Sequence, residues 1–229
     1  MRFYWIVTVL LGVGIIVLSG PVLSAFPEAG HDVSAGYGAP IFAFEMAVNS
    51  ADLIAIFGPD GDPFRANRIA QMNKGNVLDY PFMAVYSLYM ASFFYAIWRT
   101  QGYRLWLVFL GFGLLAGIAD AVENLILLNL TSDLNNAPFI AWLPIPVWTK
   151  FASIMICVFG GGTYLVFNTN WAWKFIGAIA LIGGASIPIA FFNPAQLGFL
   201  IAPGTTAGWL AMLVFAMVRS FHAGRAEVS

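Results

Sequence analysis

Leu105–Leu130 reads LWLVFLGFGLLAGIADAVENLILLNL, an apolar run broken towards its far end by Asp120, Glu123 and Asn124. About 20 apolar residues suffice to cross a bilayer, so this run predicts a membrane helix. Spacings of three and four residues put Asp120, Glu123 and Asn124 on one side of that helix. Two carboxyls and an amide are costly in hydrocarbon unless paired or wetted, and ionisable groups at that depth point to function. The stretch thus predicts both a spanning helix and an acidic face that other helices must satisfy.

The rest of the chain agrees with a membrane reading. Of its 229 residues 60% are hydrophobic and 9% charged, and mean hydropathy is +0.82. Soluble domains carry about 25% charged residues. The net charge of −1 argues against a nucleic-acid partner. A single cysteine, Cys157, excludes an internal disulfide or a cysteine metal cluster. Two histidines, His31 and His222, are too few for a histidine-ligated zinc centre. No metal is expected and no cofactor is indicated.

Six apolar segments are long enough to span or nearly so: 3–19, 77–98, 105–130, 148–167, 171–192 and 205–221. The expected fold class is all-α, a single polytopic helical bundle. Arg2, Phe3–Leu18 and Leu23-Ser24-Ala25 fit either a cleaved signal peptide or a retained first helix. The weak cleavage pattern favours retention. All eight tryptophans fall near segment ends, as in interfacial aromatic belts. Arg2, Arg99, Arg104, Lys174, Arg219 and Arg225 share one side if there are six spans. The positive-inside rule makes that side cytoplasmic, with both termini inside the cell membrane. Arg65, Arg68 and Lys74 are exceptions, in the external segment 20–76.

Within that segment Pro40–Phe57 reads as one amphipathic helix, with Glu45, Asn49 and Asp52 on a stripe. It is expected to lie on the membrane or to cap the bundle. Gly58-Pro59-Asp60-Gly61-Asp62-Pro63 signals a turn and lacks the ligand spacing of an EF-hand. Gly160-Gly161-Gly162 and Gly183-Gly184-Ala185-Ser186 allow close helix approach, and Pro188 should kink or end the fifth span. No internal repeat is evident.

The topology then converges polar groups from three spans. At about 1.5 Å per residue, Asp120 lies about 22 Å and Glu123 about 27 Å along the third span, in its outer part. Asp79 and Tyr86 enter from the start of the second span, and Lys150 from the start of the fourth. Asp79, Tyr86, Asp120, Glu123, Asn124 and Lys150 should therefore meet in an external-facing pocket, with Glu45 and Asp52 above it and Arg65, Arg68 and Lys74 at its rim. Gly113 and Gly117 extend the same stripe and let a helix approach beside the acids. Two nearby carboxyls repel, so one tends to hold a proton. That makes Asp120 and Glu123 candidates for general acid and base. The structural alternative is a polar network that ties helices together, with Lys150 snorkelling and Arg65 and Arg68 meeting lipid phosphates or acids of their own loop.

Phe44-Glu45-Met46-Ala47 with Ile56-Phe57, Leu78-Asp79-Tyr80-Pro81-Phe82 with Tyr86, and Asp120-Ala121-Val122-Glu123-Asn124-Leu125, followed by Lys150, resemble a group of bacterial polytopic membrane proteins without an assigned activity. The resemblance covers roughly residues 40–165. It implies that these residues form one unit, in a bacterial inner membrane, and supplies no reaction.

Four functions are open at this point. The acids could bind a membrane lipid or other amphiphilic small molecule, or perform acid–base catalysis on one. They could couple a carrier to protons or cations, although carriers often show repeated halves. They could also be a structural network in a non-catalytic subunit with a membrane-protein partner. A closed pocket with apolar walls and an acid at hydrogen-bonding distance from the bound molecule would favour the enzyme, a water path to both faces the carrier, and full pairing without a cavity the structural network.

Overall fold

The computed structural model describes residues 2–135, 137–167 and 169–225, with no side-chain description at 137 or 222–225; His222 therefore lies outside the described side chains. Among the described residues the chain is helical throughout, and six helices are long and apolar enough to cross a membrane. This is the pattern of a multi-pass membrane protein.

The first spanning helix is α1 (Arg2–Leu23). Two short helices follow, α2 (Pro40–Glu45) and α3 (Ser50–Phe57). Then come α4 (Arg65–Gln101) and α5 (Leu105–Leu130), joined by a tight turn. Gly102 ends α4 in the left-handed region, φ 79°, donating its N–H to the Trp98 carbonyl. A short α6 (Ala137–Trp142) leads into α7 (Pro144–Phe167). The remaining helices are α8 (Trp171–Gly184), α9 (Ser186–Phe192), α10 (Pro194–Leu197) and α11 (Ile201–Arg225). The segment between α1 and α4 covers one end of the bundle, here called the capped end.

Pro40–Phe57 forms two helices where the sequence predicts one. Asn49 accepts a hydrogen bond from the Asp52 N–H, and the Asp52 carboxylate accepts from the N–H groups of Val48 and Asn49. This capping box starts a new helix at Ser50 and ends the old one before it. It also commits Asp52 to backbone contacts. The pair packs into the bundle end. Phe44, Leu53 and Phe57 are fully buried, and the Phe44 and Phe57 rings meet edge-on at 5.0 Å.

The second span is also longer than the apolar segment 77–98. Helix α4 has 37 residues, or about 56 Å, well beyond an apolar core of about 30 Å. Its polar first turns, Arg65–Asn76, continue the helix into the cap instead of forming loop. The capping segment is correspondingly shorter, spanning 24–64. The fifth span divides at Ala185 into α8 and α9. Pro188 has no N–H for the Gly184 carbonyl, which accounts for a break at that point.

Small residues set the helix spacing around the acids. A side chain on Gly117 would collide with Ser87, and one on Gly113 would crowd Met90 and Ala91. Helix α4 therefore lies close against α5, and the Ser87 hydroxyl reaches the Gly113 carbonyl at 2.9 Å. Trp5 and Trp106 are buried, whereas Trp142 and Trp171 are exposed.

Candidate functional site

Lys150, in the second turn of α7, is the centre of the polar cluster. Its ammonium donates to Glu123 Oε1 at 2.8 Å, lies 3.2 Å from Glu45 Oε1 and 3.4 Å from Asp120 Oδ1. It also stands over the Phe151 ring, 4.7 Å from its centroid. Snorkelling to the headgroups is not what the side chain does, since Lys150 is 5% exposed. Three helices, α2, α5 and α7, are tied through one nitrogen.

A second layer holds the acids in place. The Tyr86 hydroxyl donates to Asp120 Oδ2 at 2.6 Å. The Asn124 amide donates to Asp79 Oδ2 at 2.9 Å and to the Asn76 carbonyl at 3.3 Å. Asp120, Glu123 and Asn124 are all buried, as their shared helix face requires. Glu45 lies in the cap. Burial pushes its carboxyl above the usual carboxylate range, and the charge of Lys150 opposes that. Three carboxyls thus meet one ammonium, and a fourth, Asp79, is held through Asn124. A fully ionised cluster would carry uncompensated negative charge in a low-dielectric interior, which protons or a further cation must neutralise.

A cavity of about 300 Å³ opens beside this cluster. Glu45, Asn76, Asp79, Asp120, Asn124 and Lys150 line its polar end. Its walls are apolar, including Ile15 of α1, Phe82 of α4, Phe151 of α7 and Leu213 of α11. Tyr86 stacks on Trp209 at 5.4 Å on the same wall. Glu123 is fully buried behind Lys150 and is not part of the lining. Asp120 is the member of the acid pair that reaches the cavity.

Arg65 and Arg68 are placed elsewhere. Arg65 pairs with Asp60, and Arg68 bonds Asp62 Oδ2 at 3.2 Å and the Phe57 carbonyl at 3.1 Å. Asp62 also accepts from the Phe64 N–H and meets His31 Nδ1 at 2.8 Å. That backbone hydrogen bond, then Arg68, holds the Asp62 carboxyl below its ordinary range. The two arginines thus fasten the turn 58–63 to α4, and neither lines the cavity.

Several lining groups escaped sequence reasoning. Asn76, Thr205 and Trp209 line the cavity, and their side-chain polar atoms (both amide atoms of Asn76, Thr205 Oγ1 and Trp209 Nε1) are buried without a hydrogen-bond partner. Glu45 Oε2 is in the same state. Asn76 does carry a signal, since it lies three residues before Asp79, on the helix face that reaches Asn124. Trp209 and Thr205 carry none, because α11 has no acidic motif. Among the described residues no group of His, Cys, Asp and Glu side chains is arranged to hold a metal ion. In comparisons with known proteins, the chain matches no protein-family model, no curated protein and no solved structure.

Proposed function

We propose that the chain is an integral membrane protein whose capped-end cavity binds an amphiphilic or lipid-like small molecule. The observation that carries this reading is one cavity with apolar walls and a carboxyl-rich polar end. Ligand sites commonly combine these two features. Buried polar atoms left without partners along the lining fit a site completed by something outside the chain. Asp120 is the residue placed for proton transfer to a bound molecule, with Tyr86 orienting one oxygen and Lys150 beside the other. Glu123 sets the charge of Lys150 from behind.

The capped end faces away from the cytoplasm in this reading. Arg2, Arg99, Arg104, Lys174 and Arg219 belong to the opposite ends of their helices, in keeping with the positive-inside rule. The exceptions Arg65 and Arg68 are matched by Asp60 and Asp62 of their own turn.

The test is mass spectrometry of molecules that co-purify with the native protein and with a folded Asp120→Asn/Glu123→Gln variant. A specific molecule lost in the variant is expected. Identical profiles would overturn the reading in favour of a purely structural network through Lys150.

A further inference from the structure

The shape and charge of the cavity say more about its occupant. Helices α1 and α11 touch in the half of the bundle away from the cap, where Trp5 meets Phe215 at 5.5 Å and Gly12 abuts Leu213. Nearer the cap both helices line the cavity with residues that also face outward. Ile16 and Leu23 of α1 are 57% and 66% exposed, and Leu210 of α11 is 45% exposed. Ala202 and Thr206 are likewise exposed lining residues of α11. The cavity is therefore open sideways, between α1 and α11, at the depth of the lipid tails. Along α11 the lining runs from Ile201 to Leu213, about 18 Å.

The polar end has a definite sign. Glu45, Asp79 and Asp120 reach the cavity, while Lys150 is already shared among three carboxyls. Glu45 Oε2 and Asn76 Oδ1 are buried acceptors with no donor, beside the unpartnered donors Asn76 Nδ2 and Trp209 Nε1, and Asn76 is fully buried. A primary ammonium supplies three donors and a positive charge. The stacked rings of Tyr86 and Trp209 on the wall add a surface that attracts cations. An anionic head would face the same carboxyls with repulsion.

Resting on the function proposed above, we infer that the occupant is an amphiphile with a primary ammonium head and no phosphate. Its head sits among Glu45, Asn76 and Asp79. Its tail lies in the cleft between α1 and α11, entered from the leaflet at the capped end.

The experiment is equilibrium dialysis of dodecylamine, dodecanol and dodecyl phosphate against phosphatidylcholine nanodiscs with and without the protein, at pH 7. Dodecylamine is expected to bind saturably at one site, about tenfold or more tighter than dodecanol, as a charge-assisted hydrogen bond provides. Asp79→Asn should weaken dodecylamine about tenfold and leave dodecanol unchanged. Glu45→Gln, at the same polar end, gives a second head-end variant if Asp79→Asn does not fold, and should weaken the amine alone. Thr206→Trp, at the exposed mouth, should weaken both.

Dodecanol or dodecyl phosphate binding as tightly as the amine would overturn the ammonium assignment and leave the amphiphile site standing. A folded Thr206→Trp protein with unchanged binding would overturn the lateral seat of the tail. Saturable binding of none of the three, with no co-purifying molecule, would overturn both this inference and the function beneath it.

Discussion

The two halves of the bundle are held together by different chemistry. In the half away from the cap, rings meet rings. Phe215 packs edge-on against Trp5, Tyr164 and Trp173, and Phe94 stacks on Phe109 at 5.2 Å. In the capped half, a lysine meets three carboxyls and an asparagine meets a fourth. Every buried side-chain N or O atom without a partner, among the described residues, also lies in the capped half. The half away from the cap leaves no buried side-chain N or O atom without a partner, among the described residues. The ionic half leaves polar atoms facing a cavity, and that is where a bound molecule has something to add.

Substitutions can separate the halves, and the largest effect is expected at Lys150. Lys150→Met strands buried carboxyls and should lower stability by about 3–5 kcal/mol, read as the thermal midpoint of the detergent-solubilised protein. Adding Glu123→Gln should recover part of that loss, because the second change removes one stranded charge. Equal or greater loss in the double variant would show that Glu123 is not held through Lys150. Phe215→Ala is next, at about 3 kcal/mol for a truncated core ring. Ligand binding below its lowered midpoint should stay unchanged, and a loss there would erase the distinction between the halves.

The smallest effect is confined to the cap. Asp62 has a carboxyl held below its ordinary range, first by the Phe64 N–H and then by Arg68. Its contribution to the turn is present above the ordinary aspartate range and fades as pH falls through the lowered value. The protection of amides in residues 58–64, taken as the exchange rate relative to the intrinsic rate at each pH, should therefore fall in acid for the native chain. Asp62→Asn should show low protection at every pH, without altering the cavity. A flat profile in the native protein would count against this anchoring role.

Much of this is legible in the sequence because hydrocarbon is an unforgiving solvent. The spans, the one-sided acids of α5 and their convergence with Asp79, Tyr86 and Lys150 follow from length, periodicity and alternation of direction. Other features depend on choices among partners that periodicity does not record. Arg65 and Arg68 have acids available both at the pocket and in their own turn, and the nearer ones hold them. Asn49 and Asp52 read equally well as a polar stripe and as a capping box, and backbone donors decide between them. Trp209 reads as a belt residue when span ends are taken from hydropathy. Helix α11 begins at Ile201, which puts Trp209 about 12 Å inside it. The cavity is lined by both α1 and α11, the first and last helices, and no local pattern encodes that.

The sharing of one ammonium among carboxyls of α2 and α5 also bears on how the chain is made. An aspartate or lysine at the centre of a lone helix costs about 2.5–3.5 kcal/mol on insertion. Helix α5 leaves the ribosome before α7, so its acids enter the insertion machinery with their cation not yet synthesised. Only residues 131–143 separate the two helices. That short connection delivers Lys150 to the translocon while α5 is still nearby, and the pair can pass into lipid as a hairpin whose one lysine is shared by its two acids.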